Sequence, residues 1–550
     1  MFSRQYSRST LAVLWLGLAL LWFVPLNWPH LFDPDEGRYA EIPREMVASG
    51  DWVTPRLDGI KYFEKPALGY WATAAAFEVF GQHAWTVRLW PALSGMLGLL
   101  LTFALGLRLY DQRAALLAVL VQASALLYVA MARIATLDMG LTLGLQIAMT
   151  ALALLVQRPQ PARQQSWRLP LLLGAGVALA VMAKGLVGIL IPGAVTALFT
   201  LIHRDWRLVL RAAPWWTLAA LLLLAAPWFV LVSARNPEFA HFFFIFEHFQ
   251  RYLSSAGFER YQPAWFFLPV LALGFLPWIT LLPGALRFAW RAARDGDRPT
   301  SLLLLWVAFV LLFFSLSQSK LAPYILPLFP ALSLLTARAI AGLPAQRFAA
   351  HLRVVAWFAG GVGAIVLLLW RAPAAAALVA RASTTSILGF AAAFLLLALG
   401  AGIGARLSRR GLTLAAAAAT CLGGLLLAQS ALLAADYLPR MRALVLLEQQ
   451  LRPWVGADTR VYCVNGYPQP LPFYLQRTCT LVGYRGELDF GLQQEPWLAL
   501  ADLKQFVPAW EQQSDALAIM RPEDYQELEA LGAPMHVLYT APSFVAVLRQ

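Results

Sequence analysis

Between positions 11 and 435 the chain is a succession of apolar runs set apart by short arginine clusters. A helix that crosses a bilayer needs about 20 mostly apolar residues, and in lipid its backbone groups must be paired within the segment. Thirteen runs qualify as helices: 11–29, 89–107, 114–131, 137–156, 169–182, 185–202, 216–232, 264–286, 302–316, 321–335, 354–370, 387–405 and 412–435. Composition agrees: 60% of the 550 residues are hydrophobic and 13% charged, against about 25% charged in soluble chains. The expected class is therefore a polytopic α-helical membrane protein. A net charge of +13 would suggest nucleic acid for a soluble protein. Here the arginines sit between apolar runs, as in cytoplasmic loops facing anionic lipid, so a membrane and no nucleic acid is the expected partner. The first run is long and has no A-x-A cleavage site, so it reads as a retained helix.

Arg4 and Arg8 precede the first run and place the N-terminus inside. Alternation then puts the basic loops at 108–113, 158–168, 204–211, 287–298, 338–353 and 406–410 on that same side. Reading 169–202 as one re-entrant element would reverse every later side, so two spans are expected there. The outer face receives the loop 30–88, the ends at Arg133, Lys184 and Lys320, the loop 233–262 and the C-terminal segment. Within the first outer loop, IPREMVAS and 67–80 read as helical patches lying along the interface.

At Asp436 the composition changes. The transmembrane domain is expected over 1–435 and an outer α/β domain over 436–550. RVYCVN, CTLVGY, ALAIM, MHVLYTA and SFVAVLR read as strands, with PLPFYLQ, WLALADLKQFVPAWEQQ and PEDYQELEALG as helices between them. No Gly-rich phosphate fingerprint follows the first strand, so no nucleotide is assigned. Cys421 lies in an apolar run. Cys463 and Cys479 fall in the outer domain, where either a disulfide or two free thiols is open; a bridge is the favoured expectation. Cys/His spacing suited to zinc is absent from the sequence.

Ionisable groups concentrate in Phe32 to Pro66, FDPDEGRYAEIPREMVASGDWVTPRLDGIKYFEKP, directly after the first run. A solvated loop would carry such charges too, but mixed acids and bases beside a membrane helix are functional candidates. Asp33-Pro34-Asp35-Glu36 forms a D-x-D pattern, a weak signal alone. A second carboxylate, Asp138, heads the fourth run, and Arg133 five residues earlier is a natural partner for it. Lys65, Lys184, Arg251 and Lys320 come from separate outer segments. Each can snorkel from a helix end; together they suggest a cationic cluster for a phosphate. Tyr62 and Tyr324 lie near Lys65 and Lys320 in sequence and can donate hydrogen bonds.

The D-x-D/E pattern after the first span resembles the protein O-mannosyltransferase-like glycosyltransferases that use polyprenyl-phosphate sugars. More closely, DPDEGRYAEIPREMVASGDW, GIKYFEKPALGYW and SKLAPYILPLFP resemble the aminoarabinose transferases that modify lipid A. The resemblance implies a GT-C fold, an undecaprenyl phosphate donor carrying 4-amino-4-deoxy-L-arabinose, and a lipid A phosphate as acceptor on the periplasmic leaflet of the inner membrane. It implies Asp35 as the motif carboxylate, Asp138 as the second, and Arg38, Tyr62, Lys65 and Tyr324 around the donor phosphate. No cofactor is required; a zinc ion has been associated with such sites, and Glu64 and His248 are the candidates. A lipid flippase is the competing class, but neither an internal repeat nor matched charges in two halves supports it.

Overall fold

The structure is a computed structural model that describes residues 7–157, 167–212, 214–250, 261–371, 383–456 and 458–549. Nine helices among these residues are long and apolar enough to cross a bilayer. All thirteen apolar runs carry helix, but not all as single straight rods. The fifth and sixth runs are separate helices, Arg168–Lys184 and Val187–His203, parted at Gly185 with φ +84°. A Cβ on Gly188 would stand 2.6 Å from the Val181 nitrogen, so the two helices fold tightly back on each other.

The third run breaks at Ala125 into Gln112–Ser124 and Leu126–Met131. The eighth run differs most from a simple span. Its halves, Ala264–Gly274 and Ile279–Arg294, meet at 115°. Pro277 has no N–H to continue the first half, and the Leu276 carbonyl accepts from the Leu126 nitrogen (3.0 Å) instead of from its own helix. The second half buries Leu282, Ala285 and Ala289 and carries Arg291 and Arg294 in its last turn, the composition of a helix lying in the interface. Elsewhere the bundle packs through small residues: a Cβ on Gly144 would meet the Ala180 nitrogen at 2.5 Å and the Gly176 carbonyl at 2.8 Å.

The first helix, α1 (Arg8–Phe23), leads into the loop that follows it. This loop is ordered as α2 (Asp35–Ser49), a hairpin of β1 (Arg56–Leu57) and β2 (Ile60–Lys61), and α3 (Leu68–Phe80). A fully buried ion pair anchors it. Glu36 accepts from Arg88 at 2.7 and 2.8 Å, from the Phe32 nitrogen at 2.9 Å and from the Ala135 nitrogen at 2.8 Å. Arg88 also donates to the carbonyls of Leu26, Pro29 and His30. Every polar atom of the pair is therefore used, which is what a buried pair needs to be tolerated.

The C-terminal domain forms a five-stranded sheet from β3 (Arg460–Val464), β4 (Cys479–Val482), β5 (Ala516–Met520), β6 (His536–Ala541) and β7 (Phe544–Arg549). Its order is β4-β3-β5-β7-β6, parallel over the first three strands and antiparallel beyond. The strands and the three helices fall on the segments that the sequence marks. The favoured disulfide does not form: Cys463 and Cys479 are both free and buried. Cys479 is opposite Val461 and Cys463 opposite Leu481, so the cysteines are offset by two residues on adjacent strands. The two thiols lie within hydrogen-bonding reach of each other, but ideal strand spacing and rise put such Cα atoms about 8 Å apart, wider than a disulfide usually spans.

The domain rests on α2 and the hairpin. A Cβ on Gly37 would lie 2.3 Å from the Gln469 carbonyl carbon, and one on Gly491 would lie 2.3 Å from the Lys61 oxygen. Arg56 pairs with Glu495 at 2.8 Å, and Asp58 accepts from the Cys479 nitrogen at 2.8 Å.

Candidate active site

Three acidic side chains at the start of α2 have different fates. Asp33, 6% exposed, pairs with Arg440 at 3.0 Å and accepts from the Gln469 nitrogen at 3.2 Å. Burial raises its pKa, with Arg440 opposing. Glu36, 0% exposed, belongs to the Arg88 anchor. Asp35, the first residue of the helix, is 54% exposed and has only a 3.8 Å approach to Arg38 among the described contacts. A carboxylate at a helix N-terminus is favoured by the dipole, so Asp35 is held in place while staying open to a ligand.

Arg38 follows one turn later and is buried. It donates to Tyr62 Oη (3.1 Å) and Gln469 Oε1 (3.1 Å) and approaches Glu487 at 3.6 Å. Tyr62 donates to Glu64 at 3.1 Å. Burial, with Glu64 beside it, pushes the Tyr62 phenol well up, so it remains a hydrogen-bond donor at neutral pH. Lys65 reaches Glu247 (3.0 Å) and the Glu64 carbonyl (2.7 Å).

A second group faces this one. Asp138, first residue of the helix Asp138–Gln157, pairs with Lys184 at 2.5 Å, and Lys184 sits 4.7 Å from the Tyr324 ring centroid. Tyr39 lies where the two groups meet: Arg38, Asp35, Glu64 and Asp138 all act electrostatically on its hydroxyl.

Arg133 does not pair with Asp138. It donates to Gln429 (2.5 Å) and to the Leu21 carbonyl (2.6 Å), where it satisfies acceptors inside the bundle. Lys320 is turned to the carbonyls of Gln262 and Ser317, and burial lowers its pKa. Arg251 and the His248 side chain lie outside the described residues. The cations that do gather are met by oxygens already, Lys65 by Glu247 and Lys184 by Asp138. A phosphate would therefore enter by competing with carboxylates rather than by filling a bare cationic patch.

Sequence reasoning missed Tyr39, Gln469, Tyr484, Glu487 and Glu247. Gln469 donates to Glu487, as does Tyr484 at 3.0 Å, and this pair of contacts ties the C-terminal domain to Arg38. Glu247 carried a signal, as a lone acid within the aromatic stretch HFFFIFEHFQ. The others lie more than 400 residues from Arg38 or inside the motif itself, with no local pattern to mark them.

Known proteins carry the same two parts. Residues 9–243 match the dolichyl-phosphate-mannose-protein mannosyltransferase family, and residues 447–549 match the aminoarabinose transferase C-terminal domain. The crystal structure of ArnT from Cupriavidus metallidurans bound to undecaprenyl phosphate is 34% identical, covers 99% of each chain and superposes with a TM-score of 0.90. The chain belongs to the aminoarabinose transferase family. A family member of Sodalis glossinidius, named undecaprenyl phosphate-alpha-4-amino-4-deoxy-L-arabinose arabinosyl transferase 1, is 42% identical over 336 residues, 59% of each chain. One from Enterobacter is 36% identical over 377 residues, 68% of this chain and 66% of its own. The chain thus matches 59% of the length of the first of these curated relatives. The family has the GT-C fold, and this member is a multi-pass membrane protein with an α/β domain after its last span.

Proposed function

We propose that this chain transfers 4-amino-4-deoxy-L-arabinose from undecaprenyl phosphate to a phosphate of lipid A at the periplasmic face of the inner membrane. The observation that carries the reading is the open Asp35 carboxylate beside Arg38, in a chain similar along its whole length to a transferase with undecaprenyl phosphate bound. In the reaction the bond from the sugar C1 to the donor phosphate oxygen breaks and its electron pair leaves with undecaprenyl phosphate. An acceptor phosphate oxygen forms the new bond to C1.

Both phosphates are anions at neutral pH, so the reaction needs little proton transfer. Its barrier lies in bringing two anions together while positive charge grows on the sugar. Arg38, Lys65 and Lys184 offset the repulsion, and Tyr62 and Tyr324 position the donor phosphate. Asp35 stabilises the developing positive charge and orients the amine, with Asp138 supporting it. Arg133, Arg251 and Lys320 remain substrate-binding candidates of the same proposal, although Arg133 and Lys320 are already bonded to protein oxygens. A zinc ion at Glu64 and His248 would sit beside Tyr62, which already occupies one Glu64 oxygen; no step above runs through it.

The Arg-rich loops support a cytoplasmic N-terminus, with the site and the C-terminus in the periplasm. Mass spectrometry of lipid A from cells with and without the protein tests the function. The expected result is an aminoarabinose adduct only with the protein. An unchanged spectrum, or no sugar transfer by the pure protein in detergent with donor and acceptor supplied, would refute it; adduct in cells without transfer in detergent would instead favour lipid movement.

A further inference from the structure

Arg38 is held by partners of unequal kind. Its Nε and Nη1 donate to two neutral oxygens, Gln469 Oε1 and Tyr62 Oη, each at 3.1 Å. Its Nη2 makes no hydrogen bond among the described residues: Asp35 stands 3.8 Å from it and Glu487 3.6 Å. A guanidinium and a carboxylate normally close to about 2.7–2.9 Å, so the gap to Glu487 needs a cause. Gln469 Nε2 donates to Glu487 Oε1, the oxygen nearest Nη2, and Tyr484 Oη donates to Oε2 at 3.0 Å. Both carboxylate oxygens are thus taken by donors of their own domain.

The Gln469 amide fits this place in one orientation. Arginine only donates and a carboxylate only accepts, so Oε1 must face Arg38 and Nε2 must face Glu487. Its backbone has little freedom to move. The Gln469 nitrogen donates to Asp33 at 3.2 Å, and a Cβ on Gly37 would stand 2.3 Å from the Gln469 carbonyl carbon. The residue is 2% exposed. An amide buried and pinned in this way keeps its two partners at fixed distances from each other.

We propose that Gln469 is a positioning residue for the transfer reaction: it holds Arg38 through a neutral oxygen and keeps Glu487 off Nη2, which is left for an oxygen of the donor phosphate. Without the amide, Glu487 Oε1 loses its donor and closes on Nη2, and the phosphate must displace it. Glu487 in turn fixes the amide and keeps a counter-charge near the buried guanidinium. A side chain 431 positions away in sequence thereby sets the affinity of the phosphate site. The inference rests on the reading of Arg38 as a donor-phosphate residue and is independent of which sugar is carried.

The test titrates full-length protein in detergent with undecaprenyl phosphate itself and reads the Kd. Gln469→Met keeps the side-chain length and removes both hydrogen bonds. It should weaken binding about tenfold or more, because a charge-assisted bond must then be broken to admit the phosphate. Adding Glu487→Gln removes the carboxylate that closes, and should bring binding back to within about threefold of the wild type, as expected of two residues acting through one contact. A residue that only supports the fold would leave nothing for Glu487→Gln to restore. Glu487→Gln alone should bind at least as tightly as the wild type, and is read by itself if Gln469→Met misfolds. Wild-type affinity in Gln469→Met, no recovery in the double variant, weaker binding by Glu487→Gln alone, or a wild type that does not bind undecaprenyl phosphate would overturn the proposal. A wild type that binds it but transfers no sugar would refute the proposed function and leave this inference standing.

Discussion

Asp35→Asn and Glu36→Gln, adjacent conservative changes, should fail in opposite ways. Asp35 is 54% exposed and 3.8 Å from Arg38. An ion pair that long and open contributes below about 1 kcal/mol, so Asp35→Asn should melt with the wild type. Its proposed work is electrostatic, at the point where positive charge develops on the sugar. Loss of such a group costs about 3 kcal/mol of transition-state stabilisation, roughly a hundredfold in rate. Glu36 is fully buried against Arg88. Breaking a buried pair by neutralising one partner costs about 3–5 kcal/mol, because Arg88 is left as an uncompensated charge. Glu36→Gln should therefore lower the yield and the melting point, while the folded remainder turns over. The assay is sugar transfer per folded molecule, with folded protein quantified by size exclusion and the melting point read separately. Near-normal turnover by Asp35→Asn would refute the assignment. A melting point as low as that of Glu36→Gln would show that Asp35 is instead part of the scaffold.

Three further outcomes are expected. Gly37→Ala places a carbon 2.3 Å from the Gln469 backbone and should cost about 1–3 kcal/mol, read as faster proteolytic release of the C-terminal domain together with lost transfer. Stability should fall as pH rises above about 4: the folded protein keeps protons on Glu45 and Asp58 that the unfolded chain has already released. Their contribution is fully present below the unfolded value and lost as pH passes the raised folded one, so urea midpoints across a pH series should slope downward, and less steeply in Glu45→Gln. Cys463 and Cys479 should both alkylate completely in unfolded protein never exposed to reductant, and resist alkylation when folded, since both are buried thiols.

Apolar period and arginine placement made the helices legible because lipid leaves a segment of that length little choice. Strand patterning did the same for β3 to β7. The breaks were harder to read. Pro277 is visible, but the 115° bend also depends on Leu276 giving its carbonyl to Leu126, a contact about 150 residues away. In the site, the motif marked α2 and its neighbours but could not rank Asp33, Asp35 and Glu36. That ranking comes from partners at Arg440, Gln469 and Arg88. Arg133 illustrates the same limit: proximity in sequence suggested Asp138, yet Lys184 has the reach, and the Leu21 carbonyl and Gln429 take the guanidinium.

The contact of Gln469 and Glu487 with Arg38 has a consequence for recombination. The natural point for a crossover between two relatives is the end of the last span, where the membrane part gives way to the soluble one. A hybrid joined there would inherit α2 from one parent and its facing surface from the other, and the Arg38 side chain would meet foreign partners. Gly37 and Gly491 leave no slack for adjustment, since each is already at backbone contact. The smallest heritable unit is therefore discontinuous: α2 and the hairpin must travel with the C-terminal domain, although some 400 residues of membrane helix lie between them.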